Sequence, residues 1–334
     1  MSTDSKILSP KIKALIADVK PVPVKQRAQT GVVEMRLSEE QTFRAVGVIY
    51  GLEHSIREPS FEATLFLDQY NQRIKILRYQ AEDFHAMIMK IRWIAEANGF
   101  DKIICMAPRS DWQKFLRYGY VLEAVIKYYL NGDDAYVMSK FRSQERLSSG
   151  SLMEETLLIE NIMSAIDPSA PTELDPSLKI RMALPSDVQN LISLYQEIFE
   201  TYPSPLIHAS YFEAIFQKES IFALCEKDGQ IIAAASAELS PRYQAAELTD
   251  CATRKSARGL GIMTHILRYL ENELIKRKYI CSYTMARARS YGMNNVFNRL
   301  NYEFLGRLVN NCDIYGAYED MNIWVRDLRK EVKE

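Results

Sequence analysis

The residue types and spacing best suited to chemistry lie in one run, Thr249-Asp250-Cys251-Ala252-Thr253-Arg254-Lys255-Ser256-Ala257-Arg258-Gly259-Leu260-Gly261-Ile262-Met263. A strand-like stretch, Ala245 to Thr253, enters a turn with two glycines, and a helical pattern follows from Ile262 to Lys278. Glycines lack a Cβ, so backbone N–H groups there can approach an anion closely. A helix starting at that point adds its unpaired N-terminal donors and the positive end of its dipole. Arg254, Lys255 and Arg258 crowd the same turn and make it attractive to phosphate. Glu247 and Asp250, on the strand leading in, are proton acceptors by type. Regular alternation puts Glu247 with Thr249 and Cys251 on one face and Asp250 on the other. Only one of the two carboxylates then faces a given cleft, unless a bulge shifts the strand. Cys251 has no histidine near it in sequence and reads as a core thiol rather than a nucleophile. His54, His85, His208 and His265 show no ligand spacing, so no metal is expected.

The elements that must position this turn follow from the rest of the pattern. The chain has 334 residues, enough for two domains at about 150 residues each. Lys and Arg number 42 against 43 Asp and Glu, a net charge of -1, which disfavours general binding of nucleic acid or of an anionic membrane surface. Five cysteines, odd in number and never paired as C-x-x-C, point to reduced thiols in the cytoplasm. No stretch approaches the roughly 20 apolar residues of a membrane span, and the N-terminal residues lack an apolar leader. Residues 1–43 read as a flexible extension, 44–142 as a first domain, 143–177 as a linker with one helix (Leu152 to Ile166) ending in DPSAPTELDPS, and 178–330 as a second domain. Strands and helices alternate so as to predict an α/β fold, more fully α+β, around a largely antiparallel sheet. The halves also look alike. Met106 to Tyr120 (MAPRSDWQKFLRYGY) matches Met285 to Tyr302 (MARARSYGMNNVFNRLNY) in Met-Ala, Arg-Ser and Phe-x-Arg-x-x-Tyr, and the flanking elements follow in the same order. The first half lacks the glycine turn: Gln80-Ala81-Glu82-Asp83-Phe84-His85 stands in its place.

Arg258-Gly259-Leu260-Gly261 after a strand resembles the R-x-x-G-x-G/A pyrophosphate loop of the GNAT N-acetyltransferases, with Met263 replacing the last Gly/Ala. Further blocks narrow the resemblance to the β-lysine N-acetyltransferases. They are Phe199-Glu200-Thr201-Tyr202-Pro203-Ser204-Pro205, Ala246-Glu247-Leu248-Thr249-Asp250, Gly306-Arg307-Leu308-Val309-Asn310-Asn311 and Tyr318-Glu319-Asp320-Met321-Asn322. The resemblance covers residues 178 to 328, extends loosely over 44 to 142 and leaves 1 to 43 uncovered.

The resemblance implies a GNAT fold with a degenerate GNAT-like N-terminal domain, acetyl-CoA as cosubstrate and acetyl transfer to the N6 amine of β-lysine. The product would be N6-acetyl-β-lysine, a compatible solute, with lysine 2,3-aminomutase as the functional partner that makes the acceptor. Acetylation of another small amine or of a protein lysine, or a non-catalytic acetyl-CoA-binding sensor, are the competing readings. Catalytic candidates are Glu247 and Asp250. An alkyl amine, with a pKa near ~10.4, must lose a proton before attacking the thioester. Cofactor candidates are Cys251, Ala252, Thr253, Arg258, Gly259, Leu260, Gly261, Ile262, Met263 and, toward the pantetheine arm, Asn294. A backbone N–H near Cys251 or Ala252 would hold the oxyanion. Met263 must turn its side chain into the core. Substrate candidates are Tyr202, Arg287, Asn310, Asn311, Glu319 and Asp320, with Asp313 as a further partner for the acceptor's ammonium. The slot where many GNAT enzymes carry an acidic tyrosine holds Phe297, which leaves Tyr291, water or the substrate as the acid.

Overall fold

The structure, a computed structural model, describes residues 32–46, 50–165, 173–199, 209–216, 218–314 and 316–333. The N-terminal half runs β1 (Val32–Arg36), β2 (Thr42–Val46), β3 (Leu52–Glu58), β4 (Phe61–Asp68), β5 (Arg73–Ala81), α1 (Phe84–Asn98), β6 (Lys102–Ala107), α2 (Trp112–Arg117), β7 (Val121–Leu130) and β8 (Asp133–Phe141). Two helices, α3 (Gln144–Leu147) and α4 (Leu152–Ser164), lead into the second half. That half comprises β9 (Lys179–Met182), α5 (Val188–Ile198), α6 (Ala209–Ile215), β10 (Ser220–Lys227), β11 (Gln230–Ser240), β12 (Ala245–Thr253), α7 (Ile262–Lys276), β13 (Cys281–Arg287), α8 (Tyr291–Arg299), β14 (Glu303–Ile314) and β15 (Ala317–Asp327).

Thirteen strands form one mixed sheet in the order β3-β4-β5-β6-β8-β7-β14-β15-β13-β12-β11-β10-β9. Every pairing within it is antiparallel except β5 with β6 and β12 with β13. Each parallel pair needs a crossover, supplied by α1 in one half and α7 in the other. Both helices bury one apolar stripe: Met87, Ile88, Ile91 and Ile94 on α1, and Ile262, Ile266, Leu270 and Leu274 on α7. The strand orders β3-β4-β5-β6-β8-β7 and β10-β11-β12-β13-β15-β14 are the same arrangement used twice.

The halves join where β7 meets β14, with Gly306 opposite Ala124. Gly306 has φ 136°, and a Cβ there would lie 2.4 Å from the Glu123 carbonyl oxygen, so the close approach requires glycine. Behind this contact a shared core forms from Ile104, Ile126 and Tyr129 of one half and Ala245, Tyr283 and Ile323 of the other. Past the joint β14 is irregular between Leu308 and Cys312, and side chains of the first half satisfy its backbone. Glu123 accepts from the Val309 N–H (2.7 Å), Lys102 donates to the Val309 carbonyl (2.8 Å) and Arg73 donates to the Asn311 carbonyl (2.8 Å). Lys102 is paired with Glu123 and Arg73 with Asp68, all four buried. Removing one member of such a pair costs about 3–5 kcal/mol.

One expectation needs correction. The lead-in expected to extend to residue 43 is already folded from Val32: β1 and β2 form a hairpin, and Met35 and Leu37 are buried in the first half's core. The edge strand β3 has one buried residue, Ile56, so its sequence carries little alternation. Among the described residues, no helix is long and apolar enough to cross a membrane.

Candidate active site

The turn between β12 and α7 has the geometry its sequence suggested. Opposite β11 the register slips between Ala234 and Ser236, and the bulge falls on β12, where Asp250 takes φ 53°. On the other edge, β12 pairs with β13 only from Ala245 to Glu247. Beyond that rung the two strands part, and Leu248 to Thr253 have no ladder partner on the β13 side, a wedge in the sheet. Gly259 and Gly261 have φ 83° and 72°, conformations that cost an L residue roughly 1–2 kcal/mol. Gly261 is the N-cap of α7, no side chain caps the helix, and a Cβ on Gly261 would meet nothing within 4 Å. An uncapped helix start with open space before it fits a diphosphate. Ile262 and Met263 are buried in the core, so Met263 does turn away from that space, while Leu260 is exposed. Arg258 is exposed and steadied by donation to the Thr253 carbonyl (3.2 Å). Arg254 leans instead toward Glu197 of α5 (3.4 Å), leaving Arg258 and Lys255 as the cations of the turn.

The two carboxylates are placed differently. Asp250 is buried, accepts a hydrogen bond from Ser236 and lies near the buried phenol of Tyr195 on α5. Glu247 is half-buried at the last rung before the strands part, opposite Glu238 on β11 and Tyr283 on β13. Burial, then the charge of Glu238, pushes its carboxyl up to about 8. Lys75 of the first half and a hydrogen bond from Tyr283 act the other way. A carboxyl poised near neutrality suits proton transfer. Tyr129 of β7 closes the surroundings, with its ring 5.5 Å from that of Tyr283 and 5.3 Å from that of Tyr243. Burial drives the Cys251 thiol well up, against a nucleophilic role.

Several polar residues singled out by sequence are already engaged. Asn294 is buried and its amide is fully used. It donates to the carbonyls of Arg287 (2.9 Å) and Ser290 (2.7 Å) and accepts from Asn322 (2.9 Å) and Trp324 (2.8 Å), so it has nothing left for a pantetheine arm. Asn310 is likewise buried and donates to the carbonyls of Glu145, Arg146 and Ser148, capping α3 rather than reaching an acceptor. Asp320 accepts from the Asn310 N–H (2.6 Å) and lies against Glu155 of α4, whose carboxyl burial and Asp320 together push up to about 9. Asn311 is fully buried, its amide directed at the sulfurs of Met285 (3.9 Å) and Cys312 (3.6 Å). Arg287 and Glu319, expected to bind opposite ends of the acceptor, bind each other in a bidentate pair. Phe297 is core, edge-on to Tyr302 at 5.1 Å. Tyr202 lies outside the described residues. Sequence reasoning passed over Glu238, Tyr129, Tyr243 and Lys75. Glu238 becomes visible once the hairpin at Asp228-Gly229 sets the register of β11 against β12; the others depend on how the halves meet.

Residues 188–298, from α5 to α8, match the model of the Acetyltransferase (GNAT) family. The fold is therefore the GNAT fold. The chain is 32% identical over 274 residues to N-acetyltransferase YodP of Bacillus subtilis, covering 82% of this chain and 99% of that protein. It is 33% identical over 265 residues to a β-lysine N6-acetyltransferase of Methanosarcina mazei, covering 73% and 98%. Among solved structures, the ribosomal-protein-S18-alanine N-acetyltransferase of Escherichia coli aligns with 45% of this chain and 94% of its own, at 16% identity and a TM-score of 0.40. The chain belongs to the β-lysine N-acetyltransferase family of the GNAT superfamily and is an acetyl-CoA-dependent N-acetyltransferase.

Proposed function

We propose that the protein acetylates the N6 amine of β-lysine by direct attack of that amine on the thioester of acetyl-CoA, with Glu247 as the base. The observation that carries this reading is Glu247 itself: a carboxyl raised to about 8, beside a second carboxylate, at the rung where the wedge opens. Glu238 and Glu247 together draw in an ammonium, and Glu247, directly or through one water, takes the proton that frees the nitrogen lone pair. Acetyl-CoA supplies the activated acyl carbon when its diphosphate rests on the Gly259–Met263 turn with Arg258. The backbone N–H groups of β12 at Cys251 and Ala252 then face the developing oxyanion. As the C–S bond breaks, Phe297 has no proton to give, and the thiolate takes one from the attacking nitrogen or from water.

β-Lysine carries two ammoniums and one carboxylate, so acetylating one amine leaves a net-neutral zwitterion that accumulates without a counterion. That suits a compatible solute made in the cytoplasm, with lysine 2,3-aminomutase supplying the acceptor. The test is CoA release from acetyl-CoA over a panel of β-lysine, α-lysine, alkyl diamines and a lysine peptide, with the acetylated position read by NMR. The expected result is the highest kcat/KM on β-lysine with acetylation at N6. A higher kcat/KM on a diamine or the peptide overturns the reading.

A further inference from the structure

The repeated strand order gives the base a counterpart. In the second half Glu247 stands opposite Tyr283, the third residue of β13. In the first half the residue opposite the third residue of β6, Ile104, is Lys75. The bulge that follows recurs as well, for β5 slips against β4 between Thr64 and Leu65. The two positions face one shared interior. Ile104 and Tyr283 lie in the core between the halves, and Arg73, two residues before Lys75 and so on the same face of β5, reaches across to the Asn311 carbonyl. Lys75 is half-buried and its charge is felt at Glu247. Its ammonium lies 5.9 Å from the ring centroid of Phe66 and, among the described residues, makes no ion pair or hydrogen bond. Neighbouring cations are used differently: Arg73 and Lys102 each hold a buried carboxylate. The carboxylates that feel this ammonium are Glu247 and Asp68, and Asp68 is already held by Arg73; half-buried and in contact with neither, on the face it shares with Glu247, it is placed to receive an anion from the ligand.

We propose that Lys75, contributed by the half without the glycine turn, binds the carboxylate of the amino-acid acceptor while Glu247, its counterpart in the other half, receives the proton from the reacting amine. The acceptor site is thus composite, and Lys75 is what separates a diamino acid from a plain diamine. This rests on the acceptor proposed above.

The test compares wild type, Lys75→Met and Lys75→Arg on β-lysine and on 1,4-diaminopentane, which is β-lysine without the carboxyl group. A charge-assisted hydrogen bond predicts that Lys75→Met raises KM for β-lysine about ten- to hundredfold, with far less change for the diamine, and that Lys75→Arg recovers part of the loss. Unchanged acetyl-CoA affinity in the variant shows that the fold and the cofactor side are intact. If Lys75 only tunes Glu247, both acceptors suffer equally and the pH at which activity rises, set by ionisation of Glu247, moves upward; that result overturns the inference and leaves the acceptor assignment standing. A wild type that prefers the diamine to β-lysine overturns the acceptor assignment, and this inference with it.

Discussion

The two halves differ most at the turn from the third strand of each unit into its helix. At β12–α7 the helix starts on Gly261 with no side chain over its first N–H groups. At β5–α1 it starts on Asp83, whose carboxylate accepts from the Ala86 N–H (2.9 Å). The first helix therefore carries its own anion, where the second leaves its first donors without a side-chain acceptor. The strands that part beyond this point differ in the same sense. In the first half the Tyr79 hydroxyl donates to Asp111 (2.9 Å), and Tyr79, Phe84 and Phe115 pack edge to face, with Phe84 and Phe115 4.9 Å apart, so the end of β5 is tied by aromatic side chains to α1 and to the segment after β6. In the second half the corresponding stretch of β12 has no ladder partner on the β13 side. One arrangement of strands thus yields one unit with a capped, ring-packed turn and one with an uncapped glycine turn, through a capping carboxylate, two glycines and three rings.

Changes on either side break this contrast to different extents. Gly261→Glu puts a carboxylate into the space before α7 and is expected to abolish acetyl-CoA binding, read by calorimetry, while circular dichroism stays native. Retained affinity would remove the turn from the site. Gly306→Val forces a Cβ against the Glu123 carbonyl at the joint, and destabilisation on the order of 3 kcal/mol or more is expected in urea unfolding.

Stability should also depend on pH through Glu247. Its folded carboxyl, raised to about 8, holds a proton that the unfolded chain has lost, so wild-type stability falls as pH rises from about 4.5 toward 8. Glu247→Gln cannot lose that proton, and its Tm should gain on wild type across that window; parallel Tm curves would contradict the raised value. The smallest effect is expected from Asp83→Ala, about 1 kcal/mol of stability for the lost cap, with acetyl-CoA affinity unchanged.

What was legible in the sequence was local. The turn from Asp250 to Met263 announces itself because glycines and cations act within a few residues, and even the inward turn of Met263 follows from the loop pattern. The hairpin β1–β2 and the edge strand β3 escaped because few of their side chains are buried. Asn294, Asn310, Asn311 and Asp320 misled for another reason: their polar groups look available in sequence, yet most of their partners lie far along the chain. Asn310 meets residues 145, 146 and 148, and Asn294 meets Asn322 and Trp324. The choice between Glu247 and Asp250 needed the bulge and the packing of α5, which no alternation pattern contains. Lys75 became visible only once the repeated strand order was laid on itself.

The central claim, that Glu247 is the base, is tested most directly by kcat/KM for β-lysine against pH in wild type, Glu247→Gln and Asp250→Asn. A base must be ionised to accept a proton, so wild-type activity should rise through about 8 and level off. Glu247→Gln should lose roughly 10²–10⁴-fold and show no such limb, while Asp250→Asn keeps it. A limb near 8 that persists in Glu247→Gln, or vanishes in Asp250→Asn instead, would contradict the account.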